Sequence, residues 1–167
     1  MELNTTSNRM SSLLVLYDMQ TTYFINALEG ISDKDAQVRL NTKANHVAWL
    51  SGSLVQERYE LAGALSKPNK SLKQKAHELF SDHKGIQDGI TYPSLAEFKK
   101  DWETISPVLR KAMVNASDAQ LDGPFEMPGE SMTLFDLIAF ITYREANCIG
   151  QIALWRRLLG YDAMKYM

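Results

Sequence analysis

The chain has 167 residues, 45% of them hydrophobic and 23% charged, with five prolines and nine glycines. This mixture excludes a disordered or collagen-like chain and suits one domain with its own core. A net charge of −2, with no Lys/Arg run longer than a pair, leaves no electrostatic footprint for nucleic acid, and the single cysteine, Cys148, excludes an internal disulfide.

A chain of this length buries roughly 70% of its unfolded surface, so the core requires no metal. The first ten residues are polar and lack the apolar centre of a signal peptide. The longest apolar stretch, Leu134–Ile141, is interrupted by Asp136 and falls far short of a membrane span. The expectation is a cytoplasmic protein without membrane or nucleic acid partners.

Met10, Leu13, Leu14, Tyr17, Thr21, Phe24, Ile25 and Leu28 recur at steps of three and four. They predict a first helix over about 7–28, stopped by Gly30. In the polar stretch that follows, Ser32-Asp33-Lys34-Asp35 has capping-box spacing and predicts a short helical turn. Val47, Leu50, Leu54, Leu61 and Leu65 define a second helix over about 45–65, with Trp49 beside the stripe. Gly52 inside it costs ~1 kcal/mol relative to Ala, for which close approach of another backbone would compensate. Glu57, Arg58 and Glu60 read as a solvated face. The connection 66–92 is too long to be structureless in a compact domain, and a short helix is expected near 72–80.

Ser94-Leu95-Ala96-Glu97 is a capping box that opens a third helix over about 94–116. Its stripe is Leu95, Phe98, Trp102, Ile105, Leu109 and Met113, with a kink expected at Pro107. Gly123, Pro124, Pro128 and Gly129 mark a polar connection. Thr133-Leu134-Phe135-Asp136 then caps a fourth helix over about 133–159, stopped by Gly160. Four long amphipathic helices, one shorter helix and no strand predict an all-α four-helix bundle in a single domain spanning 1–167. The long second connection leaves the neighbour order open.

Candidate chemistry lies on the second and fourth helices. Arg144 and Cys148 stand four residues apart on one side of the fourth helix, in line with Gln151 or Ile152. A guanidinium on a largely apolar stripe needs a partner. Either Arg144 snorkels to a surface carboxylate or it serves a site. His46 and Ser53 share a face of the second helix, where a lone histidine near a helix start usually makes a structural hydrogen bond. His77 and His83 lack the spacing that puts two ligands on one helical face, and read as surface residues. No glycine-rich phosphate loop or nucleophile elbow is present.

Two stretches taken together resemble the DinB/YfiT-like superfamily. Asn45-His46-Val47-Ala48-Trp49-Leu50-Ser51-Gly52-Ser53-Leu54 is similar to the family's second helix, where Asn-x-x-x-Trp-Leu-x-Gly-His-Leu is common. Cys148-Ile149-Gly150-Gln151-Ile152, continuing to Arg156-Arg157-Leu158-Leu159-Gly160, is similar to its last helix with the pattern His-x-x-x-His-x-Gly-Gln. The resemblance implies a four-helix bundle, often dimeric, with zinc or nickel on three histidines. Some relatives transfer or isomerise groups with low-molecular-weight thiols.

Here the three ligand positions carry Ser53, Arg144 and Cys148. Arginine cannot ligate a metal and serine rarely does. His46 stands about 10 Å along the axis from Ser53 and is no simple substitute. The expectation is therefore no cofactor and no metal, and a small anionic ligand bound between the second and fourth helices by Ser53, Arg144, Cys148, His46 and Gln151. The alternative is a metal- or thiol-dependent transferase with unconventional ligands, holding zinc or nickel through Cys148. A helical interaction module is the third reading. A homodimer is expected from the resemblance and from a surplus of aromatic positions: Tyr17, Tyr23, Phe24, Trp49, Tyr59 and Trp155.

Overall fold

Side chains that accept backbone N–H groups set most of the helix starts. In the computed structural model, which describes residues 5–66, 72–127 and 129–166, α1 spans Met10–Leu28. It begins later than its periodicity suggested. Ser7 is held by the Asp118 carboxylate and the Thr6 N–H by the Val114 carbonyl, so this segment runs across the chain instead of continuing the helix. Ser32 caps the single turn α2, Asp33–Ala36, through the Asp35 N–H. His46 caps α3, Val47–Leu65. Reciprocal capping boxes open α4, Leu95–Asn115, at Ser94 and Glu97, and α6, Leu134–Leu158, at Thr133 and Asp136. Gly30 and Gly160 follow α1 and α6 with φ of +75° and +87°, the left-handed conformation that ends a helix.

The chain is mostly helical, with α4 running unbroken through Pro107. Two expectations about the connections are corrected. The short helix near 72–80 is a pair of one-turn 3₁₀ segments, His77–Leu79 and Ser81–His83. Phe80, between them, turns inward to pack against α3 at Gly52 and Trp49. The stretch expected to lack strands contains, after a single turn α5 at Asp118–Leu121, a small antiparallel hairpin of β1, Pro124–Met127, and β2, Glu130–Thr133. Proline is tolerated at the first residue of a strand, as here, so Pro124 does not preclude pairing.

Among the long helices, α3 packs on α4 and α6, and α1 packs on α6 and α4. Leu14, Phe24, Leu54, Trp102, Leu109, Ile138 and Ile152 lie in their common core. Gly52 earns its place sterically. A Cβ there would sit 2.1 Å from the Phe80 ring and 2.8 Å from Phe98, so the glycine admits aromatic rings, not another backbone. Arg156 closes the far end, donating to the carbonyls of Ala27 and Glu29 at the C-terminus of α1.

The solvated-face reading of Arg58 is overturned. Its side chain is fully buried and bidentate to Glu145, at 2.6 and 2.8 Å. Its remaining nitrogen donates to Thr21 and Ser106, and the guanidinium lies 3.4 Å from the centre of the Trp102 ring. The aromatic surplus also finds other employment. Tyr17, Phe24, Tyr59 and Trp155 are core residues of this chain.

Candidate functional site

One residue along each helix from the buried Arg58–Glu145 pair, a second pair joins the same two helices. Arg144 on α6 reaches α3, donating to a Glu57 carboxylate oxygen at 2.5 Å and to the Ser53 hydroxyl at 2.8 Å. The spacing explains this. Ser53 and Glu57 are four apart on α3 and share the face that looks at α6. Arg144 and Glu57 are partly exposed, at 27% and 17%.

They are exposed to a cavity of about 410 Å³, within the range of small-molecule sites. Its polar wall is Ser53, Gln56, Glu57, Glu60 and Arg144, with Lys84 at the 3₁₀ connection. Its apolar wall comes from four elements: Trp49 and Leu61 on α3, Phe80 between the 3₁₀ turns, Phe125 on β1, and Leu137, Phe140 and Ile141 on α6. The hairpin thus closes one side of the cavity. Burial pushes the Glu57 carboxyl up to about 7, against the pull of Arg144, with Glu145 and Glu60 adding to the rise.

Trp49, Phe140 and Arg144 separate this cavity from a second one of about 330 Å³, where Cys148 and Gln151 stand beside Asn45, Tyr143 and Asn147. Burial raises the Cys148 pKa, and Arg144 opposes that only in part. The thiol is the dominant form at neutral pH. Gln151 is exposed and donates to Asn147. Of the five residues expected to act together, Ser53 and Arg144 meet directly, and Cys148 and Gln151 lie on the far side of Arg144.

His46 is elsewhere. Its Nδ1 accepts the Trp49 N–H at 3.1 Å, its ring meets Tyr92 edge-on, and burial lowers its pKa. It lines neither cavity. His77 is tied to Gln56 behind the polar wall, whereas the side chain of His83 lies outside the described residues.

Sequence reasoning missed Glu57, which forms the second half of the site. Its i+4 relation to Ser53 was the available signal, obscured by the charges around it. The buried indole N–H of Trp49 was also missed. Among the described residues it has no acceptor, in the wall shared by the two cavities.

A metal on the positions 53, 144 and 148 does not fit this arrangement. The Ser53 oxygen already accepts from a guanidinium, and that cation stands where a dication would have to sit. Among the described residues, no three His, Cys, Asp or Glu side chains are grouped as a metal centre requires. No described helix is long and apolar enough to cross a membrane. No model of a known protein family matches the chain, and no curated protein matches it.

Proposed function

We propose that this is a four-helix bundle of the DinB/YfiT-like kind in which a fixed guanidinium replaces the three-histidine metal site, and that it binds a small anionic molecule between α3 and α6. The observation that carries the reading is the position of Arg144, on the wall of the 410 Å³ cavity and in hydrogen bond with Ser53, at two of the three ligand positions the resemblance implies. An arginine fork recognises a carboxylate by paired hydrogen bonds and keeps its charge at every relevant pH. The unsatisfied Trp49 donor nearby adds to the polar demand of that wall. A buried, protonated Cys148 favours this reading over thiol-dependent transfer.

Elemental analysis and a thermal-shift screen of small anions test it together. The expected result is no stoichiometric zinc or nickel in the wild type and stabilisation by an anion that Arg144→Met removes. About one transition metal per chain, or a screen in which no anion stabilises the protein, would refute it.

The reading includes a homodimer. Its support is a stripe along α6 of Tyr143, Ala146, Gly150 and Leu154, spaced by three and four, next to Leu16 and Met19 of α1. The tyrosine and Leu154 are more than half exposed, and nothing lies within 4 Å of the Gly150 Cβ position, so a second helix can approach closely. Light scattering at micromolar concentration is expected to give twice the chain mass, reduced to one by Leu154→Glu. A monomeric wild type would count against the dimer and leave the ligand site untouched.

A further inference from the structure

The anion-binding reading meets an obstacle on its own wall. Arg144 is already neutralised by Glu57, and an incoming anion would face that carboxylate, with Glu60 close by on the same helix and Glu145 behind it on α6. Arg58, one residue from Glu57, is saturated by Glu145 and offers no compensation. From the 3₁₀ connection comes Lys84, whose ammonium donates to the Glu78 carbonyl. The hairpin contributes the uncharged Phe125 to the cavity, and α4 contributes none of its lining. With Arg144, Lys84, Glu57 and Glu60 the lining is balanced, so an added negative charge needs a proton to accompany it.

We infer that the cavity takes up a monocarboxylic acid with an apolar body by carboxylate exchange: the ligand carboxylate replaces Glu57 on Arg144, which Ser53 keeps in place, and Glu57 remains beside it as the neutral acid. This rests on the anion-binding reading above. The apolar body is assigned by Phe80, Phe125, Leu137 and Phe140, which give a bound molecule no polar partner over that part of the wall. A single guanidinium matches a single carboxylate. The balance is one proton per ligand anion. The ligand enters as the anion and Glu57 gains a proton from solvent, or the ligand enters as the acid and its proton passes to Glu57. No other bond changes. In the free protein the Glu57 carboxyl already titrates at about 7, because burial opposes its charge, so the exchange operates close to neutrality.

The test uses octanoate as the probe and 1-octanol as its neutral counterpart, by calorimetry from pH 6 to pH 8.5 in buffers of differing ionisation enthalpy. Octanoate is expected to bind with nearly constant affinity near pH 6 and to weaken up to tenfold per pH unit above 7, with proton uptake approaching one per ligand at pH 8. Glu57→Gln should flatten the profile and bind octanoate at pH 8 at least tenfold more tightly than the wild type does. Arg144→Met should lose octanoate while retaining 1-octanol. Octanoate binding with no proton uptake and no pH dependence would overturn the exchange and leave the anion-binding reading standing. Stabilisation by inorganic phosphate but not by octanoate would overturn the carboxylate assignment. Failure of both anions to bind at pH 6 would overturn the anion-binding reading and the exchange with it.

Discussion

Two ion pairs join α3 to α6, and they use adjacent residues in opposite senses. Glu57 and Arg58 are neighbours on α3, Arg144 and Glu145 are neighbours on α6, and each cation pairs with the anion of the other helix. Arg58–Glu145 is sealed. Both side chains are essentially without exposure, the carboxylate is engaged on both oxygens, and Thr21, Ser106, Trp102 and Tyr17 surround the guanidinium. Arg144–Glu57 faces a cavity and has a single carboxylate contact plus one hydroxyl. A sealed pair with every guanidinium nitrogen engaged holds the helices in register. A pair that opens onto a cavity and carries an acid titrating near neutrality can exchange partners.

The largest effect expected from that contrast is on stability. Glu145→Ala leaves a buried, uncompensated guanidinium and should cost about 3–5 kcal/mol by urea unfolding. Glu57→Ala, which leaves Arg144 at a cavity wall that water can reach, should cost about 1 kcal/mol or less. Replacing both Arg58 and Glu145 by Leu should recover much of the first loss, since well-packed apolar residues often substitute for a buried pair. Equal losses for the two alanine variants would break the comparison.

The next effect is in the pH dependence. Glu57 titrates at about 7 in the folded protein against an ordinary value of 4.5, so the folded form holds this proton more tightly than the unfolded form does. The corresponding stability is fully present below pH 4.5 and is lost as pH rises through 7, at about 1.4 kcal/mol per pH unit and on the order of 3 kcal/mol in all. Glu57→Gln cannot lose it. Unfolding free energies of wild type and Glu57→Gln should therefore diverge between pH 5 and pH 8 in favour of the variant. A constant difference would place Glu57 in an ordinary solvated environment.

The sequence made the helices legible where short-range chemistry decides them. Ser94 with Glu97, Thr133 with Asp136, and the stops at Gly30 and Gly160 all act within one turn, so local spacing is enough to find them. Arg58 and Glu145 were not found, although the signal existed. The series Leu50, Leu54, Arg58 and Ile138, Thr142, Glu145, Ile149, Ile152 keep the steps of a core stripe through the charged residue. A charge on such a stripe is read as surface unless its partner is known, and the partner is 87 positions away. The same holds for Glu57. For the hairpin, the difficulty was its length, four residues per strand between prolines and glycines, too short for an alternating pattern. Of the site, Ser53 and Arg144 were legible because the resemblance aligned them. The cavity itself was not, because Phe80 and Phe125 arrive from connections that carry no periodicity.

The smallest effect expected, and the finest discrimination between the pairs, comes from their hydroxyl partners. Each guanidinium donates to a serine: Arg58 to Ser106 at 2.7 Å and Arg144 to Ser53 at 2.8 Å. The bonds are alike in length and differ in what lies behind them. Ser106 is buried and also donates to the Trp102 carbonyl, so Ser106→Ala removes two bonds where no water can replace them. The expected loss is about 1.5–3 kcal/mol, the range for a hydrogen bond to a buried charge. Ser53→Ala removes one bond from an arginine that is 27% exposed. Water from the cavity can take the vacated place, and the stability change should be within about 0.5 kcal/mol of zero. The effect of Ser53 should appear in ligand affinity instead, because that hydroxyl accepts from Arg144 and holds the guanidinium that the exchange transfers to the ligand. Parallel urea unfolding and octanoate titration of the two serine variants measure this directly. A large stability loss at Ser53 would mean that Arg144 is as structural as Arg58. An unchanged octanoate affinity would mean that the ligand does not use the polar wall formed by Ser53.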